Sequence, residues 1–283
     1  MRRFKRSGKG SGAGIAQLAW AQLAWLGLAA TLAAGDGGSP ACGLPNPVFQ
    51  RFGDAVTLWQ GFDHGAATAG MAGGAAEPLS VKGTVAWNEG MYGRALRNGE
   101  ITYKAADNLD LRRAGTLLFW MSPYDWVRDD DEPCFYPLYV FGEKGFIMFG
   151  RQGLIMKEGV LKRGDMFFAH IEGGGKQFGQ IPFYGASRSW KNGEWHLVVL
   201  TWRLGQVGLS LDGCPPEVAC VPDLGRAGRF VIGCASLPEK RQILIDEFIV
   251  LDRQLSPQDI AWLYETTPRL PSEMRNPNLE IRK

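Results

Sequence analysis

Short apolar runs separated by glycine-rich turns recur along the chain from residue 56 to residue 267. The clearest runs are Thr116–Met121 (TLLFWM), Trp195–Trp202 (WHLVVLTW) and Ile243–Leu251 (ILIDEFIVL). Nearly continuous apolar character over a short run is typical of a strand that is buried on both faces. Few stretches show helical periodicity, so the pattern favours an all-β sandwich or barrel.

Further strands are predicted from weaker runs of apolar and aromatic residues. They are Val56–Phe62, Leu138–Phe141, Phe146–Phe149, Leu154–Lys157, Met166–Ile171, Gly208–Leu211 and Phe230–Ile232. The stretch Tyr92–Lys104 contains the dipeptide Asn98-Gly99, which favours a tight turn. We therefore expect two short strands there, joined as a hairpin.

A short helix is predicted directly after the run Ile243–Leu251. Ser256 is a suitable N-cap, Pro257 occupies the first helical position, and Asp259 stands where it completes a capping box. Beyond residue 267 the chain is polar and interrupted by prolines. Residues 268–283 are therefore predicted to form a disordered polar tail.

The N-terminal segment has the pattern of a targeting signal. Several basic residues near the start precede the uncharged run Ile15–Ala34, which is rich in Ala and Leu. This pattern predicts a secretory signal peptide over residues 1–34, a linker over residues 35–55, and a secreted or periplasmic protein. The alternative is an uncleaved signal anchor, because the run approaches the ~20 residues that span a bilayer. The protein would then contact the membrane only through this segment.

The charge of the chain is unevenly distributed. The formal net charge is +2, but residues 1–34 carry five basic residues and no acid, which leaves −3 on the remainder. Recognition of nucleic acid usually requires a clustered basic face. We therefore expect no nucleic-acid partner.

Five cysteines in an exported chain suit an oxidising compartment. Cys214 and Cys220 bracket the short loop CPPEVAC and are the candidates for a disulfide. The pairing of Cys42, Cys134 and Cys234 stays open, since three thiols cannot all pair with one another. Their spacing does not suggest a zinc site.

Four short motifs occur in the order expected for a known family. They are Gly90–Leu96 (GMYGRAL), Gly115–Pro123 (GTLLFWMSP), Gly193–Trp202 with the later Leu209–Gly213 (LSLDG), and Ile245–Phe248 (IDEF). Together they resemble the LamG-like jelly rolls of the concanavalin A-like lectin/glucanase superfamily, over roughly Thr57 to Glu265. The resemblance implies an antiparallel two-sheet jelly-roll sandwich over residues 56–267. Trp120, Trp195 and Phe248 would be buried in it.

The carboxylates of the chain argue against an enzyme. Glucanases of this superfamily place Glu-x-Asp-x-x-Glu on one strand, because two carboxylates must flank the sugar bond. The sequence lacks this spacing, and Asp246 and Glu247 are adjacent, so on a regular strand they would point to opposite faces. The acidic run Asp129–Glu132 is read as a solvated loop. A divergent hydrolase or lyase with acids from loops remains the less favoured alternative.

A structural calcium ion is the expected cofactor. Hard Ca²⁺ prefers carboxylate and backbone oxygens, and in related jelly rolls such an ion ties the first strand to the last. The resemblance therefore implies Asp63, after the first strand, and Asp246, on the last strand, as metal ligands. The alternative places Asp63 in a hydrogen-bonded turn and Asp246 on a surface strand.

A ligand site is predicted from aromatic and basic residues in loops, where recognition residues usually lie. The candidates are Tyr124, Trp126, Arg128, Tyr184, Arg188 and Trp190, and Tyr136 and Phe183 are further aromatic residues assigned to the same loops. Sugars stack their C–H faces on aromatic rings, while basic and amide groups bind the hydroxyls. The alternative for each ring is that it packs beneath its own loop.

The resulting hypothesis is an exported, non-catalytic module that binds a polysaccharide or other glycan, or an extracellular protein. The alternative hypothesis is a structural or interaction protein of an envelope or extracellular assembly, without a small ligand. Clustered exposed aromatic rings would favour the first hypothesis. Buried rings and a large apolar patch elsewhere would favour the second.

Overall fold

Antiparallel strands form most of the protein in a computed structural model, which describes residues 46–126, 135–157, 160–184, 190–235, 237 and 242–267. The predicted signal segment 1–34 and polar tail 268–283 lie outside the described residues. Within the described part of the chain, no helix is both long and apolar enough to span a bilayer.

The described elements are two α-helices and fourteen strands. The helices are α1 (Pro47–Phe52) and α2 (Pro257–Thr266). The strands are β1 Val56–Gln60, β2 Met71–Ala72, β3 Ser80–Glu89, β4 Arg94–Lys104, β5 Gly115–Pro123, β6 Phe135–Gly142, β7 Gly145–Lys157, β8 Val160–Gly173, β9 Lys176–Tyr184, β10 His196–Arg203, β11 Gln206–Leu211, β12 Glu217–Cys220, β13 Ala227–Cys234 and β14 Ile243–Leu251. They confirm the predicted all-β jelly-roll-like sandwich with a C-terminal helix.

Two seven-stranded halves form the sandwich. The first has the order β12-β11-β10-β5-β14-β1-β2 and is called the helix-covered sheet; the second, β3-β4-β13-β6-β7-β8-β9, is called the open sheet. One residue pair, Ile245 with Leu96, joins the two halves between β14 and β4. At the other end β12 lies against β9, where a Cβ built on Gly179 would lie 3.2 Å from the Cβ of Ala219. The sandwich is therefore almost closed into a barrel.

The main core lies between the two sheets, and β5 shows how the sequence builds it. Leu117, Phe119 and Met121 point into this core, whereas Leu118 and Trp120 point to the other face of the same strand. Alternate side chains of a strand point to opposite faces. The continuous apolar run of β5 thus reflects burial on both faces, as predicted.

A second core lies on the outer face of the helix-covered sheet. Phe52 of α1 and Leu263 of α2 pack there with Trp120 and Trp195. The ring of Trp120 stacks on that of Tyr264, with centroids 6.3 Å apart. The prediction of a linker over residues 35–55 is therefore wrong for residues 46–55, because α1 and the 3-10 turn that follows it are packed structure.

The predicted hairpin at Asn98-Gly99 is also wrong, because β4 runs straight through this dipeptide. Gly99 pairs with Cys234 of β13, and its φ of +95° accompanies a register shift in the pairing of β3 with β4. A glycine in this conformation within a strand marks a bulge. Similarly, Leu154–Lys157 continues β7 and is not a separate strand.

The predicted Cys214–Cys220 disulfide is not formed, and both cysteines are free and exposed. Cys214 lies in the turn after Leu211, whereas Cys220 pairs with Gln206 at the far end of β11. The segment between the cysteines runs extended along β11, at about 3.3 Å per residue. A disulfide requires Cα atoms roughly 4.4–6.8 Å apart, so this extended segment keeps the thiols from meeting.

The capping box of α2 is expected to stabilise the C-terminal helix measurably. The Ser256 hydroxyl accepts from the backbone N of Asp259 at 3.1 Å, and the Asp259 carboxylate accepts in return from the backbone N of Ser256. Ser256→Ala should lower the free energy of unfolding by about 1 kcal/mol, measured by urea denaturation. Gln258→Ala, at an exposed position of the same turn, is the matched control. Equal stability of the two variants would contradict this assignment.

Candidate functional site

A β-bulge in β14 places two acidic residues on the same side of the sheet. Glu247 has a φ of +51°, and the pairing of β14 with β5 shifts register between Asp246 and Ile249. Ile245 and Phe248 consequently both point into the main core. Asp246 and Glu247 both bind groups on the helix-covered side, so the prediction that they point to opposite faces is wrong.

Asp246 is fully buried and binds backbone amides, which rules out the alternative of a surface strand position. Its Oδ2 accepts hydrogen bonds from the backbone N of Met91 at 2.7 Å and of Tyr92 at 3.0 Å. Its Oδ1 accepts from the backbone N of Glu247 at 2.8 Å. One carboxylate thus fixes both the loop before β4 and the bulge of its own strand.

The loop before β4 needs glycine at both ends because two carboxylates approach its backbone. A Cβ on Gly90 would lie 2.5 Å from Oδ2 of Asp246, and a Cβ on Gly93 would lie 2.0 Å from Oδ1 of Asp63. Asp63 accepts a hydrogen bond from the backbone N of Arg94 at 3.2 Å. The carboxylates of Asp63 and Asp246 therefore both bind backbone amides of the motif Gly90–Leu96.

Glu247 links this loop region to the N-terminal helix. Its carboxylate accepts from the indole N of Trp59 at 3.0 Å and from the side-chain amide of Asn46. Asn46 is also the N-cap of α1, since its Oδ1 accepts from the backbone N of Val48 at 2.9 Å. Glu247 therefore ties α1 and β1 to the closing strand.

The environment disfavours the charged forms of all three acids. Burial, and then the neighbouring Glu247, raise the pKa of Asp246 well above its usual range. Burial raises the pKa of Glu247 to about 7, although the hydrogen bonds from Trp59 and Asn46 oppose the shift. Burial also raises the pKa of Asp63, against the hydrogen bond from Arg94. The donors named for these carboxylates are neutral amides and an indole.

The oxygens of this cluster match the chemistry of a hard cation. Ca²⁺ takes six to eight oxygen ligands from carboxylates, backbone carbonyls and water. Among the described residues, no group of three or more His, Cys, Asp and Glu side chains is arranged to hold a metal by itself. A cation at Asp63 and Asp246 would therefore need backbone carbonyls and water as further ligands. The calcium assignment stays a prediction.

The predicted ligand residues lie in different environments. Tyr184 is 68% exposed. Tyr124 is 37% exposed, and its hydroxyl accepts from Nη1 of Arg97 at 3.3 Å. Arg128 and Arg188 lie outside the described residues.

Two of the predicted ligand rings are packed against other side chains. Trp190 is a core side chain, only 5% exposed, and its ring centroid lies 3.7 Å from that of His196 and 4.4 Å from that of Phe167. For Trp190 the alternative of a ring packed beneath its own loop therefore holds. The ring of Trp126 is partly buried against Phe135, at 5.8 Å between centroids. Ligand contact by Tyr124, Trp126 and Tyr184 stays a prediction.

A cluster of partly exposed rings lies on the outer face of the open sheet. It is called the aromatic surface and consists of Tyr136, Tyr139, Phe141, Phe146 and His170. Strand register brings these side chains together, since Phe141 pairs with Phe146. The rings of Tyr139 and Phe141 stack with centroids 5.6 Å apart, and those of Phe146 and His170 lie 5.8 Å apart.

Polar and charged groups flank the aromatic surface. The guanidinium of Arg229 lies 4.4 Å from the centroid of the Phe141 ring. Glu172 pairs with Phe146 in register, and Gln180 pairs with His170. Burial among these rings raises the pKa of the Tyr139 phenol. Because both described helices pack on the other sheet, they leave this face uncovered.

Sequence reasoning assigned Tyr136 to a loop and missed the rest of the aromatic surface, because it treated Leu138–Phe141 and Phe146–Phe149 only as core strands. The signal was the alternation along β6, in which Leu138 and Val140 point inward while Tyr139 and Phe141 point outward. Two aromatic residues on the outward positions of one strand predict an exposed aromatic face.

Comparison with known proteins gives the fold but no family. No family model and no curated protein matches the chain. Among solved structures, the binding domain of botulinum neurotoxin serotype D aligns with a TM-score of 0.58 at 16% identity, over 76% of this chain and 52% of that one. The binding domain of neurotoxin DC, in complex with rat synaptotagmin II, aligns with a TM-score of 0.57 at 15% identity, over 77% and 52%.

A third structure, of botulinum neurotoxin type C, aligns with a TM-score of 0.56 at 14% identity, over 78% of this chain and 53% of that one. That toxin depends on interaction with two ganglioside molecules for entering cells. The chain thus spans about half the length of the solved structures that it matches. At these identities the comparison establishes the β-sandwich fold alone.

Stability should fall with rising pH because Glu247 titrates abnormally. Its pKa is about 7 in the folded state and 4.5 ordinarily, so above 4.5 the unfolded chain releases a proton that the folded chain keeps. The shift corresponds to roughly 3 kcal/mol, lost progressively between about pH 4.5 and pH 7. Denaturant unfolding at several pH values with a chelator present measures this slope. Glu247→Gln should reduce it, and exposed Glu217→Gln should not; an unchanged slope in Glu247→Gln would refute the assignment.

Proposed function

We propose that this protein is an exported LamG-like module that binds carbohydrate on the aromatic surface, without catalysis. The observation that carries the proposal is the cluster of partly exposed rings on the open sheet, whose centroids lie 5.6–6.3 Å apart. Rings that pack against one another in this way present a preformed apolar area. The C–H faces of a sugar stack on such an area, and export would bring the module to extracellular glycans.

Flanking polar groups support a saccharide over a purely apolar ligand. Arg229 supplies hydrogen-bond donors beside Phe141, and Glu172 supplies acceptors beside Phe146. A saccharide presents hydroxyl groups around an apolar ring face, so it uses both kinds of contact. Binding sites of this kind combine aromatic walls with a few oriented polar groups.

The solved structures that resemble the chain support the same class of function. Botulinum neurotoxin type C interacts with gangliosides, and a related binding domain was solved in complex with SialylT. The solved structures are about twice as long as the region that aligns with this chain. Their sequence identity to this chain is 14–16%. Their support is therefore limited to the general role of a glycan-binding domain.

The buried acids support a non-catalytic role. Asp246 is 0% exposed and Glu247 is 2% exposed, and both carboxylates are occupied by backbone and side-chain donors. A glycosidase needs two carboxyl groups that reach the bond on either side of a bound sugar. Asp246 and Glu247 lie instead beneath α1 and the loop before β4.

A protein partner is the second candidate, and the edge strand of the open sheet favours it. Leu79 just before β3 is 59% exposed, and Val81 within β3 is 45% exposed. The path of the open sheet ends at β3, which pairs with β4 on one side. An edge of this kind accepts an added strand from a partner. The neurotoxin DC domain in complex with synaptotagmin II provides a structural relative that binds a protein.

A structural calcium ion at Asp63 and Asp246 is part of the proposal. Three acids with raised pKa values gather at one loop, and a divalent cation would relieve the cost of their ionisation. Asp63 and Asp246 would hold the ion together with backbone carbonyls and water. It would supply the positive charge that ties the first strand to the closing strand.

Glycan binding should depend on individual rings of the aromatic surface. Tyr139→Ala and Phe146→Ala should each weaken binding about tenfold, because each removes one stacking face. The measurement is retention of the purified protein on immobilised glycans, followed by calorimetry with the glycan that is retained. Leu204→Ala, at an exposed turn, is the matched control.

Two results would contradict this placement of the site. Folded variants that bind like the original protein would remove the aromatic surface from recognition. Loss of binding in Tyr124→Ala and Tyr184→Ala alone would move recognition to the loops predicted from the sequence. Near-UV circular dichroism verifies that each variant is folded.

Calcium should raise the melting temperature at neutral pH. The expected gain in the free energy of unfolding is about 2.7 kcal/mol at a hundred times the Kd. Asp63→Asn should abolish the gain, since it removes one ligand charge. Asp54→Asn, which removes an exposed acid paired with Arg253 at 2.9 Å, should preserve it. A melting temperature independent of calcium would reject the metal site.

A further inference from the structure

A polar cavity of about 330 Å³ opens at one end of the helix-covered sheet. Its walls come from the loop between β4 and β5, from the last residues of β14, and from Trp202 of β10. Ligand pockets range from roughly 300 to 1,000 Å³, so this cavity has the size for a small ligand. Its lining includes none of the residues that form the aromatic surface.

Hydrogen bonds fix the part of the cavity lining that the β4–β5 loop forms. The Thr57 hydroxyl donates to the backbone O of Asn108 at 2.7 Å, and the Trp202 indole N donates to the backbone O of Asp110 at 3.0 Å. The buried Asn108 side chain accepts from Gly74 and donates to the carbonyls of Ala75 and Lys104. These hydrogen bonds hold this part of the lining in place.

The rim carries charges of both signs. Arg112 forms two hydrogen bonds with Asp110, at 3.0 and 2.9 Å, which lower the pKa of that carboxyl. Arg113 reaches the same carboxylate only at 4.0 Å, and its side chain is 84% exposed. The pair of Arg112 and Asp110 is thus self-neutralised, while Arg113 remains largely available.

Three further rim residues have side chains that are available to a ligand. Arg226, Asp107 and Asp252 line the cavity and are exposed. The side chains of these three make no hydrogen bond or ion pair with another described residue. The rim therefore offers two cationic donors and two anionic acceptors, and their charges sum to zero.

We propose that this cavity is a second binding site, for a neutral polyhydroxylated ligand such as a single sugar unit. A ligand with one net charge would meet a repelling charge of its own sign at the rim. Neighbouring hydroxyls of a sugar both donate and accept, so they match guanidinium donors and carboxylate acceptors at once. Hydrogen bonds to charged partners of this kind are stronger than neutral ones.

The test is titration of the purified protein with neutral monosaccharides and with neutral oligosaccharides, followed by NMR or calorimetry. Arg226→Gln and Asp252→Asn should each weaken binding about tenfold. Both residues are exposed, so the variants should fold normally. Arg203→Gln, an exposed arginine bonded to Gln206 at the β10–β11 turn, is the matched control and should bind like the original protein. Affinity should change little with salt, because the rim is neutral overall.

Several outcomes would overturn the proposal. No sugar binding by the folded protein would reject the site. Binding of inorganic phosphate or sulfate in place of sugars, with strong salt dependence, would make it an anion site. Sugar binding that is lost in Tyr139→Ala but retained in Arg226→Gln would place the sugar on the aromatic surface, which would reject the cavity and leave the proposed function standing.

Discussion

The buried carboxylate of Asp246 is the interaction on which the rest of the structure depends. It binds the amides of Met91 and Tyr92 across a separation of more than 150 residues in sequence, and it also holds the backbone N of Glu247. The bulge held in this way lets Ile245 and Phe248 share the main core. Without the bulge, the apolar side chains after Glu247 would turn to the wrong face, because strand side chains alternate strictly.

The two faces of the sandwich differ because both of the described helices pack on the same sheet. The helix-covered sheet buries apolar residues on both sides, and its outer face forms a second core with α1 and α2. The open sheet contributes its inner face to the main core, and its outer face carries the aromatic surface beside the buried Phe168 and Val231. The buried acids and the aromatic surface therefore lie on opposite sheets of the sandwich.

The sequence predicted most of the strands and the capped helix because both depend on local patterns. Ser256 and Asp259 form the capping box that their spacing predicts, and β14 has the predicted bounds. The pairing partners were not predictable, since the turn-like dipeptide Asn98-Gly99 is accommodated as a bulge once β13 and β3 lie on either side of it. In the candidate site, Asp63 and Asp246 were found through resemblance. The role of Glu247 was missed because no sequence pattern predicts that a glutamate within a strand adopts a left-handed backbone conformation.

The order of strands in space differs from their order along the chain. β14 lies between β1 and β5, yet it is the last of the described strands to be synthesised. Until residue 251 has left the ribosome, β1 and β5 keep unpaired edges, and such distant contacts form slowly. The helix-covered sheet therefore cannot be completed until β14 has been synthesised. Any truncation before residue 243 would remove β14, the strand that joins β1 to β5.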